Sequence, residues 1–169
     1  MGSLSIMIAG PNAALARIKA LLPLFTAKSF YLGAWHGAAQ TCKLVNNAIA
    51  CTAMLASCEA IAAGVSAGLD EAMLLEVINA SSGANLFTRE MYPAFIASRK
   101  FAGAGPIENG GKDLALFVRE AARLGAPADL AEAAAQLWGE AAASGAPGRD
   151  ASLLLAYFQS RARLPDLQN

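Results

Sequence analysis

From Leu44 to Leu69 the chain carries one charged side chain, Glu59, in a run rich in alanine. A segment so long and apolar is either a core helix around which other elements pack, or a bilayer span. Length permits a crossing. Against it stand Asn46, Asn47, Thr52, Ser57, Glu59 and Ser66, and alanine in place of leucine. Aromatic and basic belts that anchor a span at its ends are missing. The expected reading is therefore no membrane, but a central helix in a core or at a subunit contact.

The totals agree with a large core. Of 169 residues, 56% are hydrophobic and 15% charged, with a mean hydropathy of +0.40. Such a chain has ample apolar surface to bury and fits one domain, or one domain with a piece of another. Net charge is zero, which leaves no electrostatic case for binding nucleic acid or an anionic lipid surface. Cys42, Cys51 and Cys58 fall on the same predicted helix, too far apart along its axis to bridge. They read as small hydrophobes in a reducing cytosol. The N-terminus leads into a strand-like run without the basic region of a secretory signal, so a cytoplasmic protein is expected. No cluster of acids, cysteines and histidine has metal-site spacing.

Hydrophobic periodicity divides the chain into a short α/β start and a helical remainder. Leu4–Gly10 alternates apolar and small residues and stops at Gly10-Pro11-Asn12, which predicts a strand and a turn. Asn12 is placed to cap a helix over 13–25, and Lys28–Gly33 reads as a second strand. A strand–helix–strand unit of this size is too small to stand alone as a sheet. Beyond Gly33 everything predicts helix: 35–63, then 70–78 ending before Ser81-Ser82-Gly83, then 85–92 stopped by Pro93. A short segment over 95–101 leads into a glycine-rich loop, 103–111. An amphipathic helix follows over 112–124 with Gly125 as its stop, then 127–143, and a last helix over 150–162 after a loop at 145–148. The tail, 164–169, is expected to fray.

One polar line interrupts the long helix. Lys43 and Asn47 lie four residues apart, and Gln40 and His36 continue the same stripe backwards. A cation and an amide are costly to bury on an apolar helix without a partner. Something polar should meet that face, and a small-molecule substrate is the sharpest candidate.

Gly33…Gly37…Lys43-x-x-x-Asn47 followed by a long apolar helix, and Lys112-Asp113-Leu114 opening a later one, resemble the β-hydroxyacid dehydrogenase family. That family includes 3-hydroxyisobutyrate dehydrogenase and is related to 6-phosphogluconate dehydrogenase. The opening, 2–10, is similar to the last stretch of the family's nucleotide-binding domain. The resemblance implies a mainly α fold: a C-terminal helical domain of the 6-phosphogluconate dehydrogenase-like kind, preceded by a strand–helix–strand remnant of a Rossmann domain. Residues 1–33 would be that remnant, and 34–169 an all-helical substrate and dimerisation domain. It also implies NAD or NADP as cofactor, a small hydroxy-acid substrate, and a homodimer or higher homo-oligomer.

In this family the lysine matching Lys43 is the general acid/base. It takes the substrate hydroxyl proton as hydride leaves the adjacent carbon for nicotinamide. Burial disfavours the charged form of an amine and makes such a group a usable base. The resemblance gives Asn47 a substrate hydrogen bond one turn on, and brings Lys112 into the cleft near the cofactor. In structural terms alone, Lys43 would be a lysine snorkelling at a domain edge, Asn47 a bridge between helices, and Lys112 a first-turn residue whose charge Asp113 offsets. His36 and Trp35 depart from the small residues usual in the family at this point, and are expected to be structural.

No G-x-G-x-x-G follows a strand in this sequence, and the family's serine–glycine–glycine substrate loop is absent from it. The chain therefore reads as the C-terminal part of a two-domain enzyme, a fragment inactive by itself. The alternative is a non-catalytic helical dimerisation module without a cofactor domain. An imine reductase is a further relative, against which Lys43 argues.

Overall fold

The structure, a computed structural model, describes residues 4–145 and 148–162. The expectations for 2–3, for 146–147 and for the 164–169 tail lie outside those residues. The fold is mainly α with one two-stranded sheet. The chain divides into two compact units, Met1–Asn46 and Asn47–Asn169.

In the first unit, β1 (Leu4–Ile8) and β2 (Thr26–Tyr31) pair in parallel, with Ser5 opposite Lys28 and Ile8 opposite Tyr31. Thr26 is buried at the start of β2. Its hydroxyl donates to the Leu4 carbonyl, and its Oγ1 accepts the Lys28 N–H at 3.0 Å. The helix expected over 13–25 is two pieces, α1 (Asn12–Ile18) and α2 (Leu22–Phe25). Pro23 explains the break, because it has no N–H to offer the carbonyl of Lys19. Asn12 does not cap α1; Pro11 holds the cap position and its carbonyl accepts the Ala14 and Leu15 N–H groups. Neither helix has a fully buried residue, and Leu4, Leu24 and Phe25 are exposed.

The core of the second unit is built on α3 (Ala38–Ser66). Gly37, with φ of +108°, makes the turn that delays the helix to Ala38. Met54, Leu55, Cys58, Ile61 and Ala62 form one buried stripe at helical spacing. They share a core with Phe87, Tyr92, Leu114, Trp138 and Leu154. By length and composition α3 could cross a bilayer, but a third of its most apolar window is already buried within the chain. Burial pushes the Cys51 thiol up to about 11, with the Asp113 carboxylate adding to it, and raises Cys58 further. The three cysteines are unbridged.

The smaller helices show where local signals held and where packing overrode them. Asp70 caps α4 (Glu71–Ala80), its carboxylate accepting the Met73 N–H at 2.8 Å. Pro93 does not stop the next helix. Phe87–Ala97 is a continuous π-helix with Pro93 inside it. Pro93 has no N–H for the Thr88 carbonyl five residues back, and Asn79 Nδ2 donates to that carbonyl instead at 3.1 Å.

The sequence reading placed Gly110 and Gly111 in a loop, but both lie inside α5 (Ile107–Leu124). Trp138, buried on α6 (Asp129–Ala143), lies against them and its indole N–H donates to the Ile107 carbonyl. A Cβ on Gly110 would stand 2.2 Å from two atoms of that ring. Gly125, at φ +67°, ends α5 as expected. A single 3₁₀ turn, Ala151–Leu153, leads into α7 (Leu154–Arg161).

Candidate functional site

The polar cluster of the second unit is centred on a residue that sequence reasoning treated only as a charge offset. Asp113, in α5, accepts a hydrogen bond from Asn47 Nδ2 on Oδ2 at 2.7 Å. Its other oxygen lies 3.6 Å from Lys112 Nζ. Asp113 is 17% exposed while Lys112 is 62% exposed. The carboxylate is thus mostly covered, with one oxygen hydrogen-bonded to α3. The lysine next to it holds its ammonium in water. A hydrogen bond to a half-buried carboxylate is among the stronger polar contacts available. It fixes the Asn47 amide in one orientation.

Lys112 was expected in the first turn of its helix and does not lie there. Because α5 starts at Ile107, Lys112 lies in the second turn, where the dipole penalty on a cation has faded. Asp113 thereby brings Asn47 and Lys112 together. The sequence carried a trace of this: Asp113 is the acid of the Lys112-Asp113-Leu114 motif, and an acid that is mostly buried needs a donor. What the sequence could not supply was which of the amides on α3 provides it.

Lys43 lies on α3 four residues before Asn47, in the first unit. Its side chain is exposed, so the dry surroundings expected for its amine are not those this chain provides. Gln40, on the same helix, is also exposed, as are Trp35 and His36 before it. Ser81, Ser82 and Gly83 form the turn after α4 and lie outside the cluster. Among the described residues no group of three or more acids, cysteines or histidine could hold a metal ion.

The family described as the NAD-binding domain of NADP-dependent 3-hydroxyisobutyrate dehydrogenase matches residues 37–158, nearly all of α3 to α7. The chain belongs to this 3-hydroxyisobutyrate dehydrogenase family. The 3-hydroxyisobutyrate dehydrogenase of Pseudomonas aeruginosa is 34% identical over 144 residues, covering 81% of this chain and 48% of the relative. The L-threonate dehydrogenase of Cupriavidus necator is 29% identical over 157 residues, 93% of this chain and 52% of the relative. Among solved structures, the 3-hydroxyisobutyrate dehydrogenase of Mycobacterium tuberculosis, with L-serine, superposes with a TM-score of 0.81 at 27% identity. It covers 93% of this chain and 55% of that one.

The chain spans about half the length of the curated relatives it matches. The mainly helical architecture agrees with the fold expected of the C-terminal domain, and the cofactor of the family is a nicotinamide dinucleotide, NAD or NADP. Such a group brings phosphates and a carboxamide. Of the residues in the cluster, Lys112 suits it: an exposed ammonium held near Asp113 can still turn its donors to a phosphate or an amide oxygen. A glycine-rich pyrophosphate cradle is not part of this sequence.

Proposed function

We propose that this chain is the helical, substrate-side portion of an NAD(P)-dependent β-hydroxyacid dehydrogenase acting on a small hydroxy acid of the 3-hydroxyisobutyrate kind. The observation that carries the reading is the family match over 37–158, together with an Asn47 amide held by Asp113 one turn beyond Lys43 on α3. Residues 1–33 are the end of the dinucleotide-binding domain and 34–169 the helical domain. The exposed apolar residues around β1 and β2 support this, since a two-stranded sheet needs cover to be stable.

In the oxidative direction the nicotinamide supplies the hydride acceptor. Lys43 takes the proton of the substrate hydroxyl as the C–H bond on the same carbon breaks and that carbon becomes a carbonyl. In reduction the same amine returns the proton. Asn47 holds the substrate's polar end by hydrogen bonds in an orientation that Asp113 sets. Lys112 meets the cofactor side. Closure against the dinucleotide-binding domain is what dries the Lys43 amine, and the 169 residues alone do not turn over substrate. The protein is cytoplasmic, and α3 is a core helix of a soluble assembly. Incubating the assembled holoenzyme with a panel of small hydroxy acids and either NAD or NADP should generate reduced nicotinamide. Failure with every acid and both cofactors would remove the reading.

The chain also self-associates. A groove of about 580 Å³ runs between α3 and the start of α6, floored by alanines and Thr52. Ile49, 67% exposed, and Leu130, 79% exposed, stand on its walls. A projecting leucine beside a small-residue groove is self-complementary under a two-fold axis, each Leu130 entering the other copy's groove. In sedimentation at micromolar concentration the chain should run as a dimer or larger, and Leu130→Glu as a smaller species. A wild-type monomer would count against the contact.

A further inference from the structure

A second polar cavity, remote in sequence from the Lys112–Asp113 motif, lies where α4, the end of the π-helix and α7 meet. It holds about 290 Å³ and is lined in part by Glu71, Ile96, Arg99, Phe101, Leu155 and Gln159. Its anionic wall is fixed in place. The hydroxyl of Tyr92, whose ring is buried, donates to Glu71 Oε1, and Gln159 Nε2 donates to Oε2 at 3.2 Å. Burial first, and then the Glu71 carboxylate, hold the Tyr92 hydroxyl well above its ordinary pKa, so it remains a donor. A carboxylate has about four acceptor positions, so a further donor can still approach Glu71.

The cationic wall is unlike it. Arg99 lines the same cavity, yet its side chain makes no hydrogen bond or ion pair with any described residue, Glu71 included. Its backbone has φ of +54°, and that of Phe101 +45°, a conformation that costs side-chain-bearing residues energy. The segment is held there by its surroundings. The Phe101 N–H donates to the Phe95 carbonyl at 2.9 Å, and Asp150 Oδ2 accepts the Gly103 and Gly105 N–H groups at 2.9 and 3.0 Å. Two opposite charges thus line one cavity without pairing, and beside them and Gln159 lies an apolar part made by Ile96, Ala97, Leu155, Ala156 and Phe101.

We propose that this cavity binds a small free amino acid with an apolar side chain, its ammonium on Glu71 and its carboxylate on Arg99. A zwitterion spans the two walls and satisfies both charges at once, which neither a lone cation nor a lone anion does. Guanidinium suits a carboxylate through paired donors, and the apolar wall takes the side chain. The cavity uses none of Lys43, Asn47 or Lys112, so binding there does not depend on the dehydrogenase assignment.

Calorimetric titration of the 169-residue chain with L-alanine, L-valine and L-leucine tests this. At least one should bind with a Kd of about 1 mM or tighter. Its N-acetyl and carboxamide derivatives, each lacking one charge, should bind at least about tenfold more weakly. Arg99→Gln should do the same with an unchanged melting midpoint. Arg99→Gly, which relieves the left-handed backbone, should also lose binding. Three amino acids that fail to bind at about 10 mM would overturn the proposal. So would derivatives that bind as well as their parents, or Arg99 variants that bind like wild type.

Discussion

Replacing Lys43 with alanine in the proposed full-length dehydrogenase is expected to lower kcat by about 10²- to 10⁴-fold, the range supplied by a positioned general acid/base. The Kd for NAD or NADP should stay within about twofold, because in the proposed mechanism the amine would act on the substrate hydroxyl and not on the dinucleotide. Stability should hardly move, since the Lys43 side chain is exposed in this chain and no core packing depends on it. That combination separates catalysis from a structural role. Stopped-flow hydride transfer, cofactor titration and a melting curve on the same variant would read all three. An unchanged kcat would remove Lys43 from the chemistry.

The second large effect concerns stability. Gly110→Ala should destabilise the chain by about 3 kcal/mol, at the upper end of ordinary overpacking. An alanine is otherwise favoured over glycine inside a helix by about 1 kcal/mol, so the sign depends on what the methyl meets. Here it meets the Cε2 and Cζ2 atoms of Trp138 at 2.2 Å, on a ring that is buried and tied by its N–H to Ile107. The melting midpoint should fall by roughly 6–12 °C for a chain of this size.

Two neighbours serve as controls. At Gly111 the same methyl would lie 3.4 Å from the nearest ring atom, ordinary contact, and should cost little. Gly139 on α6 has nothing within 4 Å, and its alanine should stabilise by about 0.5–1 kcal/mol. If Gly110→Ala melted at or above wild type, the indole would not be packed as described.

These glycines also mark what could be read in advance. The helices over 38–66, 71–80 and 129–143 were legible to within a few residues at their ends, from their long apolar stretches and, for α4, from its Asp70 cap. The start of α5 was not. Two adjacent glycines signal a loop in any local reading, and only a tryptophan 28 positions on from Gly110 turns them into a place for close approach. Pro93 misled in the same way, because a π-helical turn is chosen by tertiary packing and has no local signature. At the site, Lys43, Asn47 and Lys112 stood out as charges and amides in apolar or glycine-rich surroundings. Asp113 did not, since an acid beside a lysine looks like its counter-ion. Its bond to Asn47, 66 residues away, is invisible to any reading of neighbours.

That bond also has an evolutionary reading. A mostly buried carboxylate and the amide it holds form a coupled pair, because a change at either position takes a charge-assisted hydrogen bond away from the other. Across homologues, residues 47 and 113 should therefore covary as a pair, substitutions at one being matched by a complementary change at the other.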